Sequence, residues 1–246
     1  MYRWEQRGNL WCLNPSRPLG IVEMIGGGYL AARPQISYRF LLEELAAAGL
    51  VIRAWSYVPS LDHQGQAIAA WHSFQHEAKR SGPLNYQISR RPIRLGHSLG
   101  CKLHLLAPDY GRDCSALLAV SFNNFSINRS IPMWNILTAR LGLRTEFNPS
   151  PLETLRLIKE KYVNPHNLVV RFNNDKFDQS YRLLETLQNR PNDRSQILVQ
   201  QGSHLTPTSL GINDYGHNSW ASDYLQRQQI GNFTKKLINW WEQNAC

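Results

Sequence analysis

Pro92-Ile93-Arg94-Leu95-Gly96-His97-Ser98-Leu99-Gly100-Cys101-Lys102-Leu103-His104-Leu105-Leu106 is the stretch on which the reading of this chain turns. Pro92 to Leu95 has the composition of a short apolar strand, and Cys101 to Leu106 that of a helix. Between them, Gly96-His97-Ser98-Leu99-Gly100 has the form G-x-S-x-G. A serine on such a strand-to-helix turn stands clear of both elements, and glycines on either side let other backbone approach closely. Three fixed positions in five residues also arise by chance. The rest of the chain must therefore supply partners for Ser98.

Upstream, Trp4 to Leu13 alternates loosely and stops at Asn14-Pro15-Ser16-Arg17-Pro18, which predicts antiparallel edge strands followed by a turn. Gly20-Ile21-Val22-Glu23-Met24-Ile25 reads as a strand that runs into Gly26-Gly27-Gly28-Tyr29. A glycine cluster at a strand's end frees backbone N–H groups for a ligand, and two nucleotide motifs are tested and fail here. A dinucleotide fingerprint needs glycine where Ala31 stands, and a phosphate-binding loop needs a Gly-Lys-Ser/Thr ending that the chain lacks. Half of an oxyanion-binding loop fits better, with backbone donors at Gly27 and Gly28 and a further one at Leu99. Tyr38, Leu41, Leu42, Leu45 and Ala46 repeat at helical spacing, predicting a helix from Ser37 to Gly49 with Ser37 at its start. A strand over Leu50 to Tyr57 and a helix over Asp62 to Ser81 complete the run to the serine turn. His72 and His76 lie four apart on that helix, but no third ligand is evident, so no metal is expected.

Downstream, Ser115 to Phe122 reads as a buried strand, and Phe125 to Asn148 as an excursion rich in apolar residues. We expect a cap or lid-like insertion at about residues 123–165 within a single domain of residues 1–246. Ser150-Pro151-Leu152-Glu153 is a helix start, with proline at the first helical position and a capping pair around it. Asn167 to Phe172 reads as a strand ending at Asn173-Asn174-Asp175, Gln179 to Asn189 as a helix, and Gln196 to Gln200 as the last strand, followed by Gly202-Ser203-His204. A helix from about Trp220 to Gln243 closes the chain. Strands alternating with helices predict a mostly parallel central sheet with right-handed crossovers and helices on both faces.

Ser98, Asp175 and His204 thus each follow a predicted parallel strand, and parallel strands bring their C-terminal ends to one edge. The three residue types make one chemical unit. A serine hydroxyl becomes a nucleophile when an imidazole takes its proton, and a carboxylate fixes the imidazole tautomer and stabilises its charged form. Asp178, three residues beyond Asp175, is the alternative acid. Cys101 falls inside the helix and is no candidate nucleophile.

The 246 residues, 42% of them hydrophobic, suffice for one well-buried core. No run reaches the ~20 apolar residues of a membrane span, and the first residues lack the apolar core of a secretory signal. Cys12, Cys101, Cys114 and Cys246 show no C-x-x-C pair, which suits reduced thiols in a cytoplasmic or stroma-like compartment. The net charge of +9 is spread along the chain and accompanies no nucleic-acid-binding motif. It fits a peripheral, salt-sensitive attraction to an anionic membrane rather than specific contact with nucleic acid.

Through Ile25-Gly26-Gly27-Gly28-Tyr29, Gly96-His97-Ser98-Leu99-Gly100, Asp175 and Gly202-Ser203-His204, the chain resembles the α/β-hydrolase superfamily from about Gly20 onward. More narrowly, Gly96 to His104 and the Trp-rich start resemble a family of unassigned function in cyanobacteria and plant plastids. That resemblance implies an α/β-hydrolase fold and an esterase-like or lipase-like enzyme without cofactor or metal, acting on a small-molecule or lipid-like acyl substrate. Ile25 stands where the lipase form of the glycine loop has histidine. The competing expectation is a non-catalytic scaffold or membrane-associated partner protein on the same fold, since fold alone does not dictate chemistry.

Overall fold

The computed structural model describes residues 3–82, 91–126, 146–209 and 219–245. They are organised by one eight-stranded sheet with the order β1-β2-β4-β3-β5-β6-β7-β8. Its strands are β1 (Glu5–Arg7), β2 (Leu10–Leu13), β3 (Gly20–Ile25), β4 (Leu50–Trp55), β5 (Ile93–His97), β6 (Ala116–Val120), β7 (Asn167–Phe172) and β8 (Gln196–Gln200). β1 and β2 join antiparallel, and every pairing from β4 to β8 is parallel. The helices are α1 (Pro34–Ser37), α2 (Arg39–Ala47), α3 (His63–Arg80), α4 (Leu99–Leu105), α5 (Pro151–Lys161), α6 (Ser180–Gln188) and α7 (Ser219–Asn244), with a 3-10 turn over Gly28–Ala32. The expected α/β-hydrolase architecture is the one observed.

Alternation along the strands sorts side chains between the two faces. On β6, Ala116, Leu118 and Val120 meet Phe233, Leu237 and Trp241 of α7 and the apolar side of α2. Leu117 and Ala119 point the other way, toward Cys101 and Leu105 of α4, Ile158 of α5 and Leu183 of α6. This is why the central strands read as unbroken apolar runs: both faces are covered.

β3 is flanked by β4 on one side and β5 on the other, so the chain winds outward in opposite directions from that pair. A crevice opens at the C-terminal ends of the strands at such a reversal point. The glycine loop leaves β3 and Ser98 leaves β5, on the two sides of this crevice.

The glycines of the serine turn are required sterically. A Cβ on Gly100 would sit 1.9 Å from the Ile25 carbonyl oxygen, and one on Gly96 would sit 2.6 Å from the Cys101 Cα. Both obstacles are main chain and cannot swing aside. We therefore expect Gly100→Ala to cost more than about 3 kcal/mol in thermal or urea unfolding, beyond ordinary overpacking. Gly82→Ala, whose added Cβ meets nothing within 4 Å, is the control.

Arg94, in the same strand, is buried against Asp109 through two bonds of 2.9 and 3.0 Å. Glu23 lies 3.7 Å from its Nε. The sequence pattern shows only an apolar strand here, whereas the structure encloses a charged cluster that ties β5 to the segment after α4.

One local expectation changes. The helix predicted from Ser37 to Gly49 divides at Tyr38, and Ser37 closes α1 instead of capping α2. Of the insertion predicted at 123–165, residues 127–145 lie outside the described residues. Residues 151–161 form α5, which packs on α6 as part of the main layer through Ile158 and Leu183. Ser150 does cap α5, accepting from the Glu153 amide at 3.3 Å with Pro151 at the first helical position.

Candidate active site

Ser98 sits at the junction of β5 and α4 with φ 55° and ψ −120°, a strained conformation for a residue bearing a Cβ. The conformation is held from three sides. The Ser98 amide donates to the Val120 carbonyl at 2.9 Å, α4 begins at the next residue, and Gly27 lies so close that a Cβ there would be 2.5 Å from the Ser98 Cβ.

Opposite it, His204 Nε2 lies 3.1 Å from Ser98 Oγ, and His204 Nδ1 lies 2.8 Å from Asp175 Oδ2. The structure thus brings together Ser98, Asp175 and His204, which are far apart in sequence. The Asp175 side chain is fully buried, and its other oxygen accepts from the Phe177 amide at 2.8 Å. Burial alone would raise its pKa. The bonds from His204 and the Phe177 amide outweigh that and hold the carboxyl below the usual aspartate range. Asp178 points elsewhere, to Arg171 at 3.3 Å and to the Ser180 hydroxyl. Phe177 sets its ring edge-on to His204 at 5.8 Å.

The expected oxyanion donors require one correction. The Gly27 N–H donates to Tyr38 Oη at 2.9 Å, so it is committed within the protein and leaves the set named from the sequence. Gly27 serves instead as the position that lets the loop lie against Ser98. Gly28 and Leu99 begin their helical turns, where amides have no partner within the helix, and both border the cavity in front of Ser98.

Tyr38 and His97 form a connection that periodicity did not reveal. Tyr38 Oη lies 2.8 Å from His97 Nδ1, and His97 Nε2 lies 2.9 Å from the His204 carbonyl oxygen. Gly27 N–H can only donate and the carbonyl can only accept. The proton positions follow: Tyr38 accepts from Gly27 and donates to Nδ1, while Nε2–H donates to the carbonyl. The chain of bonds joins the glycine loop to the segment carrying His204. The sole signal in the sequence was a histidine beside the serine in the motif.

The cavity before Ser98 has a volume of about 390 Å³ and is bordered by Leu61, Leu99, Phe125 and Phe147, with His63 and Lys102 among its polar members. Among the described residues, no group of three or more His, Cys, Asp or Glu is placed to hold a metal, and no helix is long and apolar enough to cross a membrane. Cys12, Cys101 and Cys114 are free and buried, and burial pushes the Cys101 thiol well up.

His63, His97 and His104 are all buried. Burial lowers His63 and His97 to about 3 and His104 well below its ordinary value. The unfolded chain binds a proton at each of them below about pH 6.5, while the folded chain does not. Stability is therefore lost as the pH falls through that range. Glu23, whose carboxyl burial pushes upward, offsets at most one of these protons. The expected slope is about 2.7 to 4 kcal/mol per pH unit once the unfolded histidines are fully protonated. Urea midpoints compared between pH 7 and pH 5 measure it, and an unchanged midpoint would contradict the assignment of three neutral histidines.

A family model described as "Protein of unknown function (DUF1350)" matches residues 3–238. No curated protein matches the sequence. Among solved structures, the chain is similar to an acylaminoacyl peptidase of Pyrococcus horikoshii at 14% identity and TM-score 0.61, over 100% of this chain and 42% of that one. The chain thus spans less than half of that relative. A Pyrococcus furiosus esterase is 11% identical with TM-score 0.60, over 100% and 94% of the two chains. A fluorophosphonate-binding serine hydrolase of Staphylococcus aureus is 14% identical with TM-score 0.56, over 95% and 97%. At such identities the likeness is one of fold.

Proposed function

The chain belongs to the DUF1350 family, and because that description carries no reaction we propose from the site itself that it is a serine hydrolase of carboxylic esters or thioesters. The observation that carries the proposal is the line from Asp175 through His204 to Ser98, with contacts of 2.8 and 3.1 Å. In the proposed reaction Ser98 Oγ attacks the substrate carbonyl carbon while His204 Nε2 takes the hydroxyl proton. The amides of Gly28 and Leu99 receive the developing oxyanion. The carbon–oxygen or carbon–sulfur bond then breaks, and the imidazolium returns its proton to the departing alkoxide or thiolate. Water repeats the sequence on the acyl-enzyme, releasing the acid and restoring Ser98.

A non-catalytic scaffold would have no use for Ser98 in a strained conformation beside an oriented imidazole, since such strain persists only where the surroundings enforce it. The proposal includes a cytoplasm- or stroma-like compartment in a photosynthetic cell and a peripheral, salt-sensitive attraction to anionic lipid arising from the net charge of +9. A fluorophosphonate probe applied to the purified protein, beside turnover of short-chain p-nitrophenyl esters, tests the reaction. Covalent labelling of Ser98 is expected. Folded wild-type protein that takes up no label would overturn the proposal.

A further inference from the structure

Lys102 is a charged residue of the cavity wall that the proposed chemistry leaves unused. It occupies the fourth position after Ser98, one turn along α4, and helical side chains lean back toward the preceding turn. The side chain is therefore directed to the Ser98 end of the helix, and Lys102 borders the same cavity as Ser98. Only 1% of the residue is exposed to solvent. A lone buried cation is costly unless it is paired and fully hydrogen-bonded.

The described residues satisfy Lys102 only in part. Its Nζ donates to the Pro149 carbonyl at 3.0 Å and lies 5.8 Å from the centre of the Phe147 ring. An ammonium group has three protons to place, and one carbonyl takes one of them. Glu146 favours the charged form, yet among the described residues no carboxylate oxygen stands within 4 Å of Nζ. His63 stacks on Phe147 at 4.3 Å, and among the described residues its buried Nδ1 has no hydrogen-bond partner. Among the described residues, two nitrogen-bearing side chains of the cavity lining are thus left short of acceptors or donors, in a space whose apolar border includes Leu61, Leu99, Phe125 and Phe147. Asn124 also borders the cavity, but its unpartnered atom is the acceptor Oδ1, which repels an anion and keeps that part of the wall out of the seat.

We propose that Lys102 is the subsite for a carboxylate at the far end of the substrate's acyl chain, so that the enzyme acts on half-esters or half-thioesters of short dicarboxylic acids. The inference rests on the hydrolase reading above and narrows it to a substrate class. An acyl carboxylate would complete the ammonium's hydrogen bonds, while the methylene groups between the two carbonyl carbons fill the apolar part of the cavity. The closeness of Lys102 to Ser98 along α4 limits the spacer to a few carbons. Burial lowers the Lys102 pKa to about 7, and the attraction of Glu146 offsets only part of that cost.

The test compares two esters of equal chain length, mono-p-nitrophenyl glutarate and p-nitrophenyl pentanoate, with wild-type enzyme and with Lys102→Met. Wild type is expected to favour the glutarate by roughly tenfold or more in kcat/KM, in line with one charge-assisted hydrogen bond. In Lys102→Met, checked for folding by thermal melting, that ratio is expected to fall to about one or below. Wild-type enzyme with no preference for the glutarate overturns the proposal without recourse to any variant. So does a preference that Lys102→Met retains, which would place the anion elsewhere, and so does fluorophosphonate labelling with turnover of neither ester. Absence of both labelling and turnover is a different failure, since it removes the hydrolase reading and this inference with it.

Discussion

Ser98→Ala is expected to reduce kcat for ester hydrolysis by about 10⁴- to 10⁶-fold, the scale seen when the nucleophile of a serine hydrolase is removed, and to abolish covalent labelling. The change deletes one oxygen and leaves the Cβ, so the strained backbone at φ 55° and the contact with Gly27 stay as they are. Loss of activity would then report chemistry, not folding. The neighbouring Cys101 is not available to replace it. Cys101 is fully buried and its thiol is pushed upward by burial, which keeps it from forming a thiolate. Stability should be unchanged or slightly higher, because a polar group held for function seldom sits in its most favourable setting. Retention of more than about one-hundredth of wild-type kcat, against the expected loss of that scale, would place the nucleophile elsewhere.

Asp175→Asn is expected to lower kcat by about 10⁴-fold while substrate binding changes little. Its Oδ2 now accepts the Nδ1 proton of His204, which leaves Nε2 bare and facing Ser98. An amide nitrogen in that place would donate to Nδ1 and force the imidazole proton onto Nε2. The base would then present a proton where it needs a lone pair. Asp178→Asn is the decisive comparison. Its contacts with Arg171 and Ser180 serve the β7–α6 connection, so it should cost about 1–3 kcal/mol of stability and leave kcat within an order of magnitude of wild type. Exchange of these two outcomes would make Asp178 the acid. The pair of variants therefore decides between the two aspartates that sequence spacing alone had left in competition.

Which parts of this arrangement the sequence discloses follows from the range of the forces involved. Strand β5, the turn and α4 are legible because glycine, apolar periodicity and helix starts act over a few residues. Asp175 and His204 are legible by their place after strands, since a parallel sheet carries its C-terminal ends to one edge. The helix expected over 37–49 is interrupted at Tyr38. Its ring follows the helical apolar spacing, yet its hydroxyl is drawn into a buried contact with His97, 59 positions away. The loop's glycines look alike in sequence, so Gly27 reads there as an oxyanion donor. Only the position of the Tyr38 hydroxyl tells one amide from the next. Lys102 stood in plain view as a cation in an apolar helix, but its partner, the Pro149 carbonyl, comes from 47 residues downstream.

The bonds from Gly27 through Tyr38 and His97 to the His204 carbonyl have a consequence for the traffic of protons. The two imidazole rings are 4.9 Å apart, near enough that His97 could in principle compete as a second base. It is shut out at each atom. Its Nδ1 lone pair is occupied by the Tyr38 proton, its Nε2 already carries a hydrogen directed at a carbonyl, and burial lowers its pKa to about 3. A chain that begins on a main-chain donor and ends on a main-chain acceptor runs in one direction and cannot be reversed. It conducts nothing. His97 is thereby closed to a proton that reaches His204 Nε2, which leaves oxygen or sulfur at the Ser98 face as the acceptor the proposed reaction uses.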